Sequence, residues 1–277
     1  MEKPLAVTAP EAEELLALKK EHPELVSGVA FNQRSNRVYQ KAKELLPKLG
    51  TLRSARYEIS DWYRPDSYYR MNPWRGSFEQ EGGGGLINQC HHQLDIIVYL
   101  LGLPEAVEAH CKTINREVSG ENDVVAFFYY PTFTLLFSAS LHDLKGMNFF
   151  DISGDNGRLN MEKTKLVFEE HENEFQANKE AQLYGGVVSK ESHFSYGAKR
   201  LKEDQLYAQQ VRALRAFSEE IMGQGHQLAS LEDGFRDLEL LNAIYLSSWT
   251  DKKVALPVDE NLYAEALKKK IIEEKAK

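Results

Sequence analysis

The chain has 277 residues, 42 % hydrophobic and 27 % charged, the balance of an ordinary folded protein of about two domains and not of a disordered one. Its net charge of −8 argues against non-specific attachment to nucleic acid or to an anionic membrane surface and favours a small-molecule partner. No apolar run approaches the ~20 residues that span a bilayer, and the opening MEKPLAVTAP has neither a basic start nor an apolar signal core. With Cys90 and Cys111 lacking any paired spacing, the expectation is a cytoplasmic protein with free thiols.

In chain order, Thr8, Pro10 and Glu11 signal a helix over 10–21, with Leu15, Leu16 and Leu18 on its apolar face and Pro23 beyond its end. Residues 25–33 (LVSGVAFNQ) read as a buried strand and 36–46 as a helix closed by Pro47 and Gly50. From Thr51 the rhythm changes: Ala55, Tyr57 and Ile59 alternate with polar residues along a half-exposed strand, which marks a domain boundary. Gly82–Gly85 lead into a mostly buried helix over 86–101, ended by Gly102 and Pro104. Strands are expected at 106–114, 123–130, 133–141, 148–153 and 165–170, with turn signals such as Asp155-Asn156-Gly157, which together make a largely antiparallel sheet. The polar stretch 172–202 has no clear period and receives no assignment. Helices return over 203–222, 231–248 and 261–274.

The chemistry concentrates in GGGGLINQCHHQLD, Gly82 to Asp95. On a regular helix Asn88, His92 and Asp95 line one face, a polar stripe in an apolar element. Two readings stand. The stripe is a hydrogen-bonded cluster that fixes the helix, or His92 is a general acid/base steered by Asn88 or Asp95. Cys90, His91 and His92, with His110 and Cys111, invite a metal. Adjacent residues diverge by about 100° on a helix and point to opposite faces on a strand, so no metal site is expected. The segment from Tyr68 to Gly76 (YYRMNPWRG) joins aromatic surfaces to guanidinium forks, which suit sugar rings, phosphates and carboxylates, or it is a loop anchored by Trp74. The GxG at Gly223-Gln224-Gly225 follows a helix and lacks a third glycine, so it reads as a helix end and not as a dinucleotide turn.

Glu2-Lys3-Pro4, VAFNQR, WRGSFEQEGGGGLINQCHHQLD, LLNAIYLSSW and VALP, in this order along almost the whole chain, resemble the glucose-fructose oxidoreductase/inositol dehydrogenase/rhizopine catabolism (Gfo/Idh/MocA) family of nicotinamide-dependent oxidoreductases. The resemblance implies an α/β protein: a remnant of a Rossmann domain over 1–48, then an α+β domain over 49–277 with an open, largely antiparallel sheet and packed helices, the terminal helices turning back toward the Rossmann side. It implies oxidation of a sugar or polyol hydroxyl by NAD or NADP, with Lys3 and His92 catalytic. Asn88, Asp95, Arg75 and Tyr69 would contact substrate, and Glu2, Lys3, Asn32, Trp74, Arg75 and Tyr245 would lie near the cofactor. It also implies a homo-oligomer formed through the sheet. Many members carry Asp where this chain has Asn88, a subgroup feature. The family's glycine-rich turn and ribose-binding acid precede the EKP motif and are not found here. The expectation is therefore a chain without the front of its Rossmann domain, truncated or completed by a partner, and a poor dinucleotide binder and inactive alone. Two alternatives remain open: a non-enzymatic oligomerising or sugar-binding module, and an NAD-dependent glycosidase in a longer form.

Overall fold

The computed structural model describes residues 1–162, 165–181, 192–197 and 208–276. Helix α1 (Ala9–Glu21) opens on a capping box in which Thr8 and Glu11 satisfy each other's backbone donors, with Pro10 in the first turn. The strand expected over 25–33 does not form. Gly28 makes an isolated bridge to Ser230, and Asn32–Ser35 close into a 3-10 turn. The physical reason is that this extended stretch has two short partners in place of a long one: the N-terminal ammonium donates to the Gly28 carbonyl (2.7 Å), Ala30 N–H to the Met1 carbonyl (2.9 Å) and Val29 N–H to the Ala229 carbonyl (3.2 Å). The bonds are made, but no ladder results.

Helix α2 (Arg37–Leu45) is capped by the Asn36 side chain, which accepts from Val38 N–H at 3.0 Å. Strand β1 (Leu52–Ile59) follows, with Ala55, Tyr57 and Ile59 inward, and then the short helix α3 (Asp66–Arg70). Leu86–Cys90 form a π-helical turn that runs into α4 (His91–Leu101), which ends at Gly102 in a left-handed conformation (φ 77°). The remaining elements are β2 (Ala106–Lys112), β3 (Asp123–Tyr129), β4 (Thr134–Ser140), β5 (Asn148–Gly154), β6 (Gly157–Glu162), β7 (Lys165–Glu170), α5 (Glu174–Glu180), β8 (Ser192–Gly197), α6 (Ala208–Ile221), α7 (Leu231–Thr250), β9 (Val254–Ala255) and α8 (Glu260–Lys275). Strand β6 was not separated out by the sequence pattern; it pairs with β5 across the Asp155-Asn156 turn. In the unassigned stretch α5 and β8 appear, and residues 182–191 and 198–202, with residues 203–207 of the expected helix, lie outside the described residues.

The described strands form one open sheet in the order β8-β7-β6-β5-β1-β4-β3-β2-β9, parallel only where β1 meets β4 and antiparallel elsewhere. Tyr57, Phe137 and Phe150 stack on its inner face: the Tyr57 ring lies flat on Phe150 at 4.4 Å and meets Phe137 edge-on at 6.2 Å. Helix α7 crosses this side, and its Ser247 and Ser248 hydroxyls accept from the N–H groups of Ala109 and Cys111 on β2. The other face keeps Arg56 and Glu58 of β1 and Val125 and Phe127 of β3 on the surface. Leu94, Ile96 and Ile97 of α4 and Leu240, Leu241 and Ile244 of α7 join the core without exposure. Burying such aliphatic chains contributes about 1.5–3 kcal/mol each, which holds the helix carrying His92 as a rigid support.

Candidate functional site

The tetraglycine packs backbone to backbone on the residues just before β3. A Cβ on Gly84 would lie 2.1 Å from the Glu121 carbonyl oxygen, and one on Gly83 2.0 Å from the Tyr245 hydroxyl, so only glycine permits the approach. The buried Glu121 carboxyl then accepts from Leu86 N–H (2.7 Å), Gly84 N–H (3.1 Å) and the Tyr245 hydroxyl (3.1 Å), pinning the start of the π-turn. Burial pushes Glu121 up to about 7 against these donors.

The π-turn alters the expected stripe. Asn88 turns its amide to the Glu81 carboxylate, while its carbonyl accepts from the Lys3 ammonium. Asp95 is fully buried and both its oxygens are taken by Arg34, at 2.7–3.0 Å, so it faces a guanidinium and not an open site. Arg34 also meets Asp233 at 2.9 Å. His92 alone of the three lines a cavity of about 390 Å³, together with Met1, Glu2, Phe31, Asn32 and, from α6, Phe217.

Lys3 and His92, 89 positions apart, come within electrostatic reach of each other, His92 lining the cavity and Lys3 standing outside its lining: burial, Lys3 and His91 push the imidazole down to about 3, so it is neutral at pH 7. Its Nδ1 is buried without a hydrogen-bond partner among the described residues, and the Phe31 ring stands edge-on to it at 6.4 Å. Lys3 is itself pushed down by burial, opposed by the carboxylates of Glu81, Glu2 and Asp237. Behind His92, the buried His91 Nδ1 contacts Asp237.

The other expected residues divide. Glu2 and Asn32 line the cavity, Asn32 also donating to Gln209 at 3.3 Å. Tyr245 is fully buried behind the tetraglycine, its ring stacked on Trp249 at 5.0 Å, so it supports the turn from the core. Trp74 and Arg75 stack on each other at 4.4 Å, and Tyr69 is buried against Tyr68. Sequence reasoning missed Glu81, Glu121, Arg34 and Asp237. Their role lies in contacts far along the chain, although the acidic residue immediately before the tetraglycine was a usable signal for Glu81. Among the described residues no group of three or more His, Cys, Asp or Glu is placed to hold a metal ion, and no helix is long and apolar enough to cross a membrane.

Residues 39–160 match the family model described as the GFO/IDH/MocA C-terminal domain. No curated protein matches the chain in sequence. Among solved structures it resembles the WlbA dehydrogenase from Bordetella pertussis, in complex with NADH and UDP-GlcNAcA, at 21 % identity and TM-score 0.72, over 93 % of this chain and 71 % of that one. It resembles levoglucosan dehydrogenase, in complex with NADH and levoglucosan, at 20 % identity and TM-score 0.73, over 92 % and 72 %. An oxidoreductase from Agrobacterium radiobacter, in complex with NAD+, L-tartaric acid and magnesium, matches at 16 % identity and TM-score 0.69, over 92 % and 71 %. At these identities the likeness is one of fold.

Proposed function

We propose that the chain belongs to the Gfo/Idh/MocA oxidoreductases and carries the substrate-facing part of an enzyme that moves hydride between a sugar or polyol carbon and NAD or NADP. Residues 1–48 are its cofactor-facing portion and 49–277 its sheet domain. The observation that carries this reading is a neutral imidazole, His92, which lines the cavity with its Nδ1 unpartnered and lies within electrostatic reach of the half-buried Lys3 ammonium. The complexes of WlbA and levoglucosan dehydrogenase with NADH and a sugar ligand support the substrate class.

The cavity, with the orphaned His92 Nδ1 and the amide of Asn32, fits the nicotinamide end of a dinucleotide, and Glu2, Asn32 and His92 would border it. The pyrophosphate end has no glycine fingerprint in this sequence. When bound, the nicotinamide accepts or returns hydride. The chain does the rest: Lys3 places positive charge where an alkoxide develops, and neutral His92 takes the hydroxyl proton. The developing negative charge raises the affinity of His92 for that proton, offsetting the Lys3 effect at the moment of transfer.

In saturation-transfer NMR, reduced nicotinamide mononucleotide is expected to bind and adenosine monophosphate is not, with H92A and K3M weakening the nicotinamide signal. With oxidised nicotinamide mononucleotide in place of the whole dinucleotide and a panel of polyols and sugar acids, formation of the reduced mononucleotide should fall by about 10²–10⁴-fold in H92A. Equal binding of the two mononucleotides, or turnover untouched by both substitutions, refutes the reading. The exposed Val125 and Phe127, each at 39 %, on the open sheet face favour a homo-oligomer joined through that face.

A further inference from the structure

Next to the contact between Lys3 and Asn88, the segment around α3 and the loop after β2 bring Arg64, Arg75 and Arg116 into one group. The Arg64 and Arg75 guanidinium carbons lie 4.9 and 4.1 Å from the same Tyr68 ring, and Arg116 lies 5.4 Å from the Tyr63 ring while its Nε donates to the Arg64 carbonyl at 2.8 Å. The Arg116 side chain is only 8 % exposed, and its Nη2 has no hydrogen-bond partner among the described residues. Arg64 Nε, Arg75 Nε and the Tyr69 hydroxyl are likewise buried without one. Burial pushes Tyr69 up to about 12, so its hydroxyl remains a donor. Asp66, 3.7 Å from Arg116 Nε, is 52 % exposed and offsets little of the Arg116 charge, while the Glu81 carboxylate bears on Arg75 and leaves Arg64 and Arg116 as the less compensated members.

Orphaned donors on charged groups are costly, and like charges gathered around one ring repel. An oxyanion relieves both, since guanidinium forks match carboxylate and phosphate oxygens. The group also adjoins the proposed reaction site. The Tyr68 hydroxyl accepts from Arg75 and from Gln89 Nε2 (2.8 Å), Gln89 Nε2 donates to Asn88 Oδ1 (3.0 Å), and the Asn88 carbonyl accepts from Lys3.

We propose that Arg64, Arg75 and Arg116, with the Tyr69 hydroxyl, form a subsite for an oxyanion borne by the substrate, which is then an acidic or phosphorylated sugar and not a neutral polyol. That this ligand is a substrate rests on the oxidoreductase reading, whereas the binding does not. Trp74, stacked on Arg75 at 4.4 Å, supplies the signal. The full chain is titrated, by tryptophan fluorescence, with glucuronate, glucose 6-phosphate, inorganic phosphate and glucose. The acidic sugars are expected to bind at least tenfold more tightly than glucose, compete with phosphate and weaken as salt rises. R116M and R75K should each lose about tenfold, R75K keeping the charge but not the fork. Preference for glucuronate identifies a carboxylate site, and preference for glucose 6-phosphate a phosphate site. Glucose binding as tightly as the acids, no saturable binding to folded protein, or affinities unchanged in R75K overturn the proposal. Should R116M fail to fold, R75K decides. Failure of the oxidoreductase reading is distinct: oxyanion binding persists while reduced nicotinamide mononucleotide gives no signal.

Discussion

Replacing Glu121 with Gln tests how the π-turn is held. In the wild-type chain the carboxyl is buried under the tetraglycine and pushed up to about 7, whereas in the unfolded chain it titrates near 4.5. Between these values the folded protein keeps a proton that the unfolded chain has released, so stability from this group is complete below pH 4.5 and declines as pH rises through 7. At ~1.4 kcal/mol per pH unit the gap amounts to roughly 3 kcal/mol, most of it between pH 5 and pH 8. Glutamine does not titrate. Its carbonyl can still accept from Leu86 N–H and Tyr245, but its amino group then faces Gly84 N–H, donor against donor, at a cost of about 1–3 kcal/mol independent of pH. Urea unfolding of both proteins from pH 5 to pH 8, followed by tryptophan fluorescence, isolates the group because all other titrations cancel in the difference. The wild-type advantage should shrink or reverse by roughly 3 kcal/mol toward pH 8. Parallel stability curves would show that the three donors keep the carboxylate ionised in the fold, and would refute the argument.

His92 has the opposite sign. Held down to about 3, it stays neutral in the fold while the unfolded chain takes up a proton below 6.5, so its contribution to stability is present above that pH and falls with acid. Imidazole NMR of the folded protein should show no ring protonation at pH 5, and an ordinary midpoint near 6.5 would contradict the buried placement. Burial already pushes Asp95 up to about 7, so substituting Arg34 with Met should cost about 3–5 kcal/mol by urea unfolding at pH 8 and less as falling pH protonates the stranded carboxyl, with most of the cost recovered when Asp95 is replaced by Leu as well. Phe127→Glu on the open sheet face should convert an oligomer to a monomer by light scattering, and an unchanged mass would place the interface elsewhere.

The strands were legible where one face is buried: the alternation of Ala55, Tyr57 and Ile59 is the inward side of β1. The cap of α1 was legible too, since Thr8 and Glu11 act on backbone only a few residues away. The segment 25–33 misled for the converse reason. Its apolar run marks burial at Val29 and Phe31 but not at Leu25, which is exposed, and whether an extended stretch joins a ladder depends on its partners, here Met1 and Ala229, far apart along the chain.

The site shows the same limit in its chemistry. Helical periodicity placed Asn88, His92 and Asp95 on one face, and the π-turn together with three partners sends them to separate tasks: Asn88 to Glu81 and Lys3, Asp95 to Arg34, and His92 to the cavity. Of those partners only Glu81 stands in the local pattern, and Lys3 and Arg34 do not. The tetraglycine carried the missing information in a form that spacing cannot decode, because its purpose is the 2.1 Å clearance that a Cβ on Gly84 would violate against Glu121. A glycine run before a buried helix thus marks a place where another backbone must come close. Here that backbone brings the carboxyl that fixes the π-turn, and the π-turn in turn aims the Asn88 carbonyl at Lys3 and leaves His92 Nδ1 without a partner. Geometry of this kind is set by close packing between segments far apart in the chain, which is why Lys3 and His92 could be named from sequence while the burial that holds His92 neutral could not.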